Sequence, residues 1–172
     1  MNKQKVIIFE GLDRSGKTSI ATETSKLLGI PYFKFEKHNY WDEKKYENAT
    51  YYDQPFFVEL LKQTGLSIVA DRAYPSEYAY APLFDRQLDE KFLRKIDDAH
   101  AELGTIIVLC IKRNVNEKDE KVPMDKYKDI ISRYLDFSMW TKCHVIILDT
   151  TALDLESQIN FLISHFRKEG LL

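Results

Sequence analysis

Residues 5–18, KVIIFEGLDRSGKT, restrict this chain to a small set of folds, because an apolar run, Val6 to Phe9, leads straight into Gly11-x-x-x-x-Gly16-Lys17-Thr18. A strand, a glycine-bracketed turn and a helix start in that order make a phosphate-binding P-loop. The glycines let the backbone curl so that successive N–H groups face phosphate oxygens, and the following helix adds the positive end of its dipole. Gly11, Asp13, Ser15, Gly16, Lys17, Thr18 and Ser19 are the expected nucleotide-binding residues, with Lys17 reaching the β- and γ-phosphates and the Thr18 hydroxyl on Mg²⁺.

A P-loop of this kind needs a parallel sheet behind it, and the rest of the chain supplies the strands. Short runs rich in β-branched and aromatic residues recur at 5–10, 30–35, 66–71, 105–111 and 144–149. Between them lie segments of helical period. In the first, Ile20, Ala21, Thr24, Leu27 and Leu28 share a face that stops at Gly29 with Pro31 beyond. Further helices are expected at about 54–64, 76–101 with a break near Pro82, 124–140 and 154–168. Strands alternating with helices predict a three-layer α/β fold, a five-stranded parallel sheet flanked by helices, with ligands at the carboxyl ends of the strands. At 172 residues, with no internal repeat or linker, the chain is expected to form a single domain spanning 1–172.

The net charge of −2 gives no broad field for a nucleic acid polymer, so a small-molecule partner is the stronger expectation. Cys110 and Cys143 make no C-x-x-C motif, and both read as reduced thiols. The polar start of the chain runs directly into the first strand and no apolar stretch reaches membrane-spanning length, which predicts a cytoplasmic protein without a signal peptide. His38, His100, His144 and His165 lack metal-ligand spacing, so neither zinc nor histidine catalysis is expected.

Two further clusters bear on chemistry. Asp13-Arg14 sets a guanidinium inside the P-loop, where Arg14 can act as an arginine finger supplied in cis. Asp71-Arg72 closes the third strand and is followed by Ser76 in VADRAYPSEYAYAP. A carboxylate there can orient Mg²⁺ or a substrate hydroxyl, and the planar fork of Arg72 suits a phosphate.

With these residues assembled, the chain resembles the thymidylate kinase family, relatives of the deoxynucleoside kinases. FEGLDRSGKT is similar to the family's P-loop in the variant carrying the catalytic arginine, Asp71-Arg72-x-x-x-Ser76-x-x-Ala79-Tyr80 to its acceptor motif, and Trp140 followed by VIILDTT to its ending, where Asp149 to Ala152 would contact the ATP base. The resemblance implies phosphoryl transfer from MgATP to a deoxynucleotide, usually dTMP, by a homodimer. It makes Arg14, Lys17, Asp71 and Arg72 the catalytic set, Thr18 and Asp71 the metal set, and Asp13, Glu36, Lys37, Phe56, Arg72, Ser76 and Tyr80 the acceptor set. Tyr40, Trp41, Tyr46, Tyr51, Tyr52, Phe56 and Phe57 crowd residues 40–57, a density suited to stacking on a base, with Phe56 and Tyr52 the first choices. Lys34 is a further candidate cation, and Ala81 stands where many members carry a polar residue. Residues 113–122 would form a short lid, with Arg113, Lys118 and Lys121 as candidate cations.

Two other readings compete. In a deoxynucleoside kinase Glu36 would be the general base that deprotonates a 5′-hydroxyl, and Glu36-x-x-x-x-Trp41 and residues 120–134 resemble that family too. A nucleotide-dependent switch or binding module is the third, although no Asn-Lys-x-Asp string follows the P-loop to read guanine.

Overall fold

The three central strands of the sheet are short and buried between helices, which follows from a parallel sheet having both faces covered, while the two edge strands are partly exposed. The computed structural model describes residues 4–35, 49–113 and 124–172. In chain order these give β1 (Val6–Gly11), α1 (Lys17–Leu28), β2 (Tyr32–Lys34), α2 (Ala49–Thr64), β3 (Ile68–Asp71), α3 (Tyr74–Tyr80), a 3-10 turn (Ala81–Phe84), α4 (Glu90–Glu102), β4 (Ile106–Ile111), α5 (Met124–Trp140), β5 (His144–Asp149) and α6 (Leu155–Lys168). The five strands pair in the order β2-β3-β1-β4-β5, all parallel. This is the expected three-layer α/β architecture.

Alternation along the strands builds the two faces. Ile7, Phe9, Val69, Val108, Cys110, Ile146 and Leu148 pack with Ile20 and Ala21 of α1 and Leu162 and Phe166 of α6. Val6, Ile8, Ala70, Ile107, Leu109 and Ile111 pack on the other side with residues of α2, α4 and α5. Since β1 and β4 are buried along their whole length, they read as continuous apolar runs and not as alternating strands.

Helix boundaries differ from the expected ones where local chemistry intervenes. α2 starts at Ala49, ahead of the expected 54, and carries Pro55 inside it. The segment at 76–101 breaks near Pro82 as expected, but the gap is wide: α3 ends in the 3-10 turn, Asp85 takes φ +53, and α4 begins only at Glu90, where the Asp89 side chain accepts from the Phe92 N–H.

Behind α3 a buried polar knot fixes its position. The fully buried Asp97 of α4 accepts from the Tyr74 hydroxyl at 2.7 Å, from the Lys142 N–H at 2.8 Å and from the Thr141 hydroxyl. His100 stacks on the Tyr74 ring at 5.1 Å, and burial, followed by the charge of Lys62, pushes its pKa down to about 3. A neutral core histidine results.

The register aligns the functional strand ends. Phe9 pairs with Asp71 and Gly11 with Cys110, so the chain leaves β1 and β3 at the same rim of the sheet. Gly11 has φ +139, and a Cβ there would stand 2.3 Å from the Cys110 carbonyl oxygen. Gly11→Ala therefore combines left-handed strain with a backbone overlap, and is expected to cost about 2–4 kcal/mol. A melting curve unchanged in that variant would show that the β1–β4 approach tolerates a side chain.

Candidate active site

The P-loop begins where β1 runs out of strand partners, and its backbone explains its sequence. Ser15 N–H donates to Leu12 O at 3.3 Å, while Arg14 at φ +60 and Gly16 at φ +81 take the left-handed turns that swing the chain into α1. α1 has no side-chain cap and no acidic residue in its first turn. By contrast, α4 and α6 are capped by the carboxylates of Asp89 and Asp154. A helix start with neither device presents N–H groups and the positive dipole end to a ligand anion.

Lys17 lies just inside this turn and is buried to 6% exposure. Its Nζ is held by the Leu12 carbonyl at 3.4 Å and lies 3.9 Å from Asp13 Oδ1. Burial lowers its pKa first and the charge of Arg72 lowers it further, against the opposing pull of Asp71, Asp13 and Glu10. The free site thus holds a cation at some cost, which an arriving polyphosphate would repay. The Ser15 hydroxyl is buried in the same turn without a hydrogen-bond partner among the described residues.

Across from the loop stands the end of β3. Asp71 is fully buried, and its Oδ2 accepts from the Thr18 hydroxyl at 2.6 Å and from the Tyr32 hydroxyl at 3.0 Å. Its Oδ1 has no hydrogen-bond partner among the described residues. A buried carboxylate oxygen left open beside a threonine hydroxyl is a set of hard oxygen donors, and it fits Mg²⁺, which takes few protein ligands and completes its shell with water and phosphate. Among the described residues no three His, Cys, Asp or Glu side chains gather as a self-sufficient metal cage.

Arg72 follows with φ +71, a left-handed conformation that costs a non-glycine residue energy and is kept by its surroundings. Its N–H donates to Phe9 O at 2.9 Å. One arm of the guanidinium donates to Ser76 Oγ at 3.1 Å, and the other pairs with Asp13 of the P-loop. The Tyr80 ring lies under it at 5.4 Å. Burial opposes the Arg72 charge, but the neighbouring Tyr134, Tyr80, Glu10 and Asp13 raise its pKa well above the ordinary range. Burial, with Asp13 and Glu10, pushes the Tyr80 hydroxyl up to about 12 against the pull of Arg72, so it stays a neutral phenol.

The structure therefore brings together Gly11, Asp13, Ser15, Gly16, Lys17, Thr18, Asp71, Arg72, Ser76 and Tyr80. Arg14 stands exposed in the loop, and its carbonyl oxygen accepts from Lys112 at 3.5 Å. Glu36 and Lys37 lie outside the described residues, as do Lys118, Lys121, His38 and all of the expected lid beyond Arg113; the Tyr52 side chain is outside them too. Phe56 is 71% exposed, whereas its neighbour Phe57 turns inward to stack on Phe33 and meet Phe35 edge-to-face. At the far end of the sheet Asp149 accepts from the Thr151 N–H at 2.9 Å and Arg113 N–H donates to the Thr151 hydroxyl at 2.8 Å, shaping the loop expected at the ATP base.

Three participants escape sequence reasoning. Glu10, fully buried, accepts from Ala73 N–H, Ser76 and Tyr134; Tyr134 reaches it from α5; and Tyr32 steadies Asp71. Burial pushes the Glu10 carboxyl up, while Arg72 and its hydrogen-bond donors pull it back. A signal for Glu10 was visible, since an acidic residue inside a wholly apolar parallel strand must be satisfied by something. Tyr32 and Tyr134 gave none, because aromatic residues on a strand or an amphipathic helix belong to cores by default.

No family model and no curated protein matches the sequence. Solved structures do match. The chain is similar to the YorR protein of Bacillus subtilis, solved in complex with phosphorylated GDP, with a TM-score of 0.69 and 21% identity over 96% of this chain and 98% of that one. It is also similar to thymidylate kinase from Candida albicans (TM-score 0.63, 18% identity, 98% of this chain and 93% of that one). A third similar structure is deoxyadenosine kinase from M. mycoides, solved with dCMP and dCDP (TM-score 0.57, 16% identity, 94% of this chain and 98% of that one). The chain has the P-loop kinase fold that the thymidylate and deoxynucleoside kinases share.

Proposed function

We propose that this protein transfers the γ-phosphoryl group of MgATP to the 5′-phosphate of a deoxynucleotide, dTMP or a related pyrimidine, giving the diphosphate and ADP. The observation that carries the reading is the position of Arg72. It is a partly buried cation just past the end of β3, paired to Asp13 of the phosphate loop itself, so a second anion-binding group stands against the first. An acceptor that brings its own phosphate needs such a neighbour.

In this reading the P-loop backbone and Lys17 bind the ATP phosphates and Ser76 and Tyr80 keep Arg72 facing the acceptor. An acceptor phosphate oxygen forms the new bond to the γ-phosphorus as the bridging oxygen leaves with ADP, and Arg14 and Lys17 meet the charge that develops on the transferred group. Mg²⁺, held by Thr18 and Asp71, would neutralise charge on the phosphates of ATP. The acceptor phosphate is already ionised, so no general base is required. The carboxylates seen beside the loop are also engaged, Glu10 by three donors, Asp71 by Thr18 and Tyr32, and Asp13 by Arg72. Glu36, Lys37 and Phe56 remain the proposed acceptor contacts from the segment after β2, and a cytoplasmic homodimer belongs to the same reading.

The test is ATP-to-ADP turnover with Mg²⁺ against matched acceptors, dTMP with thymidine and then the other deoxynucleotides with their nucleosides, repeated in Glu36→Gln. Turnover of monophosphates that survives in Glu36→Gln is the expected result. Turnover of nucleosides alone, lost in Glu36→Gln, would make Glu36 the base and the protein a deoxynucleoside kinase, a reading to which the fold of the M. mycoides enzyme lends weight.

A further inference from the structure

The proposed transfer leaves one buried titratable group of the site without a role. Glu10 occupies the last inward-facing position of β1, following Val6 and Ile8 onto the face covered by α5, and has no exposed surface. A carboxylate in that place is costly unless its oxygens are satisfied. Here Oε1 accepts from Ala73 N–H at 2.6 Å, and Oε2 accepts from Ser76 Oγ at 2.7 Å and from the Tyr134 hydroxyl at 3.0 Å. Because Arg72 donates to Ser76 Oγ at 3.1 Å, the serine's single proton is left for Glu10. Arg72 is thereby coupled to Glu10 through one hydroxyl, while the next N–H of the chain is held by the other carboxylate oxygen.

The residue so constrained is the one with the disfavoured φ of +71. Its second arm pairs with Asp13, whose side chain is 38% exposed. The two carboxylates around Arg72 thus differ in kind. Asp13 stands on the open side, where an incoming phosphate can take over its contact. Glu10 stands on the closed side and stays.

We infer that Glu10 is the positioning residue of the acceptor side: it fixes the Arg72–Ala73 turn and, through Ser76, aims the Arg72 guanidinium, and in doing so sets affinity for the acceptor's phosphate. The inference rests on the reading of Arg72 as the acceptor-phosphate ligand. It makes the strand before the P-loop part of the acceptor site, although neither Glu10 nor Tyr134 touches a substrate.

Glu10→Gln is the first test, because the amide keeps the size and can still accept from Ala73, while it removes the charge and withdraws the acceptor to which Ser76 and Tyr134 donate. Calorimetric titration of wild type and variant with dTMP, with the other deoxynucleoside monophosphates and separately with MgATP gives the readout. The expected result is a loss of roughly tenfold or more in acceptor affinity, with MgATP affinity changed by no more than about twofold. Tyr134→Phe, which removes one donor and leaves the charge, is expected to lose about threefold on the acceptor alone, and it carries the test if Glu10→Gln does not fold. Unchanged acceptor affinity, or equal losses for both ligands, overturns the inference and makes Glu10 a general structural residue. A wild type that binds dTMP without phosphorylating it overturns the proposed function and leaves Glu10 to be judged by these affinities. A wild type that binds no monophosphate overturns both.

Discussion

Replacing Lys17 by alanine is expected to lower turnover below about a thousandth of the wild-type rate without unfolding the protein. The ammonium is the only charge that the P-loop sequence pattern dictates, and the structure seats it inside the loop between the Leu12 carbonyl and Asp13. Stability should move the other way. Burial and the nearby Arg72 lower the Lys17 pKa in the folded state, so at neutral pH its charge is held at a penalty that the unfolded chain does not bear. That penalty disappears with the side chain. Lys17→Ala should therefore melt, in the absence of nucleotide, at or slightly above the wild-type temperature, although some packing is lost. Saturating MgATP should raise the melting temperature of the wild type through ligand linkage, and that increment should shrink in the variant. Measured together, turnover and the two melting curves separate a binding-site loss from a folding loss. A variant with ordinary turnover would remove the phosphate site from the mechanism.

The same opposition between stability and function explains which parts of the protein were legible in its sequence. The strands were readable because β1 and β4 are buried on both faces, and a run such as Ile106–Ile111 has no other use in a chain of this size. The P-loop was readable because Gly11 and Gly16 are forced by backbone geometry, one by the Cys110 carbonyl and one by the turn into α1. Exact helix ends were harder to place. The break near Pro82 was marked by the proline, but where α4 resumes depends on a left-handed Asp85 and on Arg86, whose N–H returns to Ala81 O while its guanidinium pairs with Glu77 at 3.0 Å. None of these has a periodic signature.

For the site the boundary falls between groups that meet the ligand and groups that hold them. Lys17, Thr18, Asp71 and Arg72, the groups proposed to meet the ligand, stand out because the P-loop pattern and the Asp-Arg pair closing a strand single them out. Their supports are invisible by the same logic. Arg133 of α5 donates twice to Tyr78 O, at 3.1 and 2.8 Å, and Lys126 donates to Leu83 O at 2.6 Å, so α5 is tied to α3 and the 3-10 turn after it by main-chain carbonyls. Any residue carries a carbonyl, so no pattern of side chains marks the receiving end.

Arg14→Ala should leave ATP affinity within a few-fold of wild type and lower kcat by roughly 10³ to 10⁵, the range found for an arginine that meets the transferring phosphoryl group. The split follows from where the side chain sits. Arg14 is exposed in the P-loop while Lys17 is enclosed, so of the two cations Lys17 is the one expected to hold the ground-state triphosphate. A contact made mainly as charge spreads over the γ-phosphate oxygens stabilises the transition state more than the bound substrate, and its loss appears in kcat. Alanine is the right replacement. Arg14 already takes φ +60, so Ala keeps the same left-handed backbone strain and isolates the side chain, whereas Gly would relax the loop and confound the measurement. Arg14→Lys should recover little of the rate, because a single ammonium does not reproduce the planar fork that spans two phosphoryl oxygens. Steady-state kinetics on the three proteins reads all of this at once, and a kcat unchanged in Arg14→Ala would leave Lys17 to meet the developing charge without it.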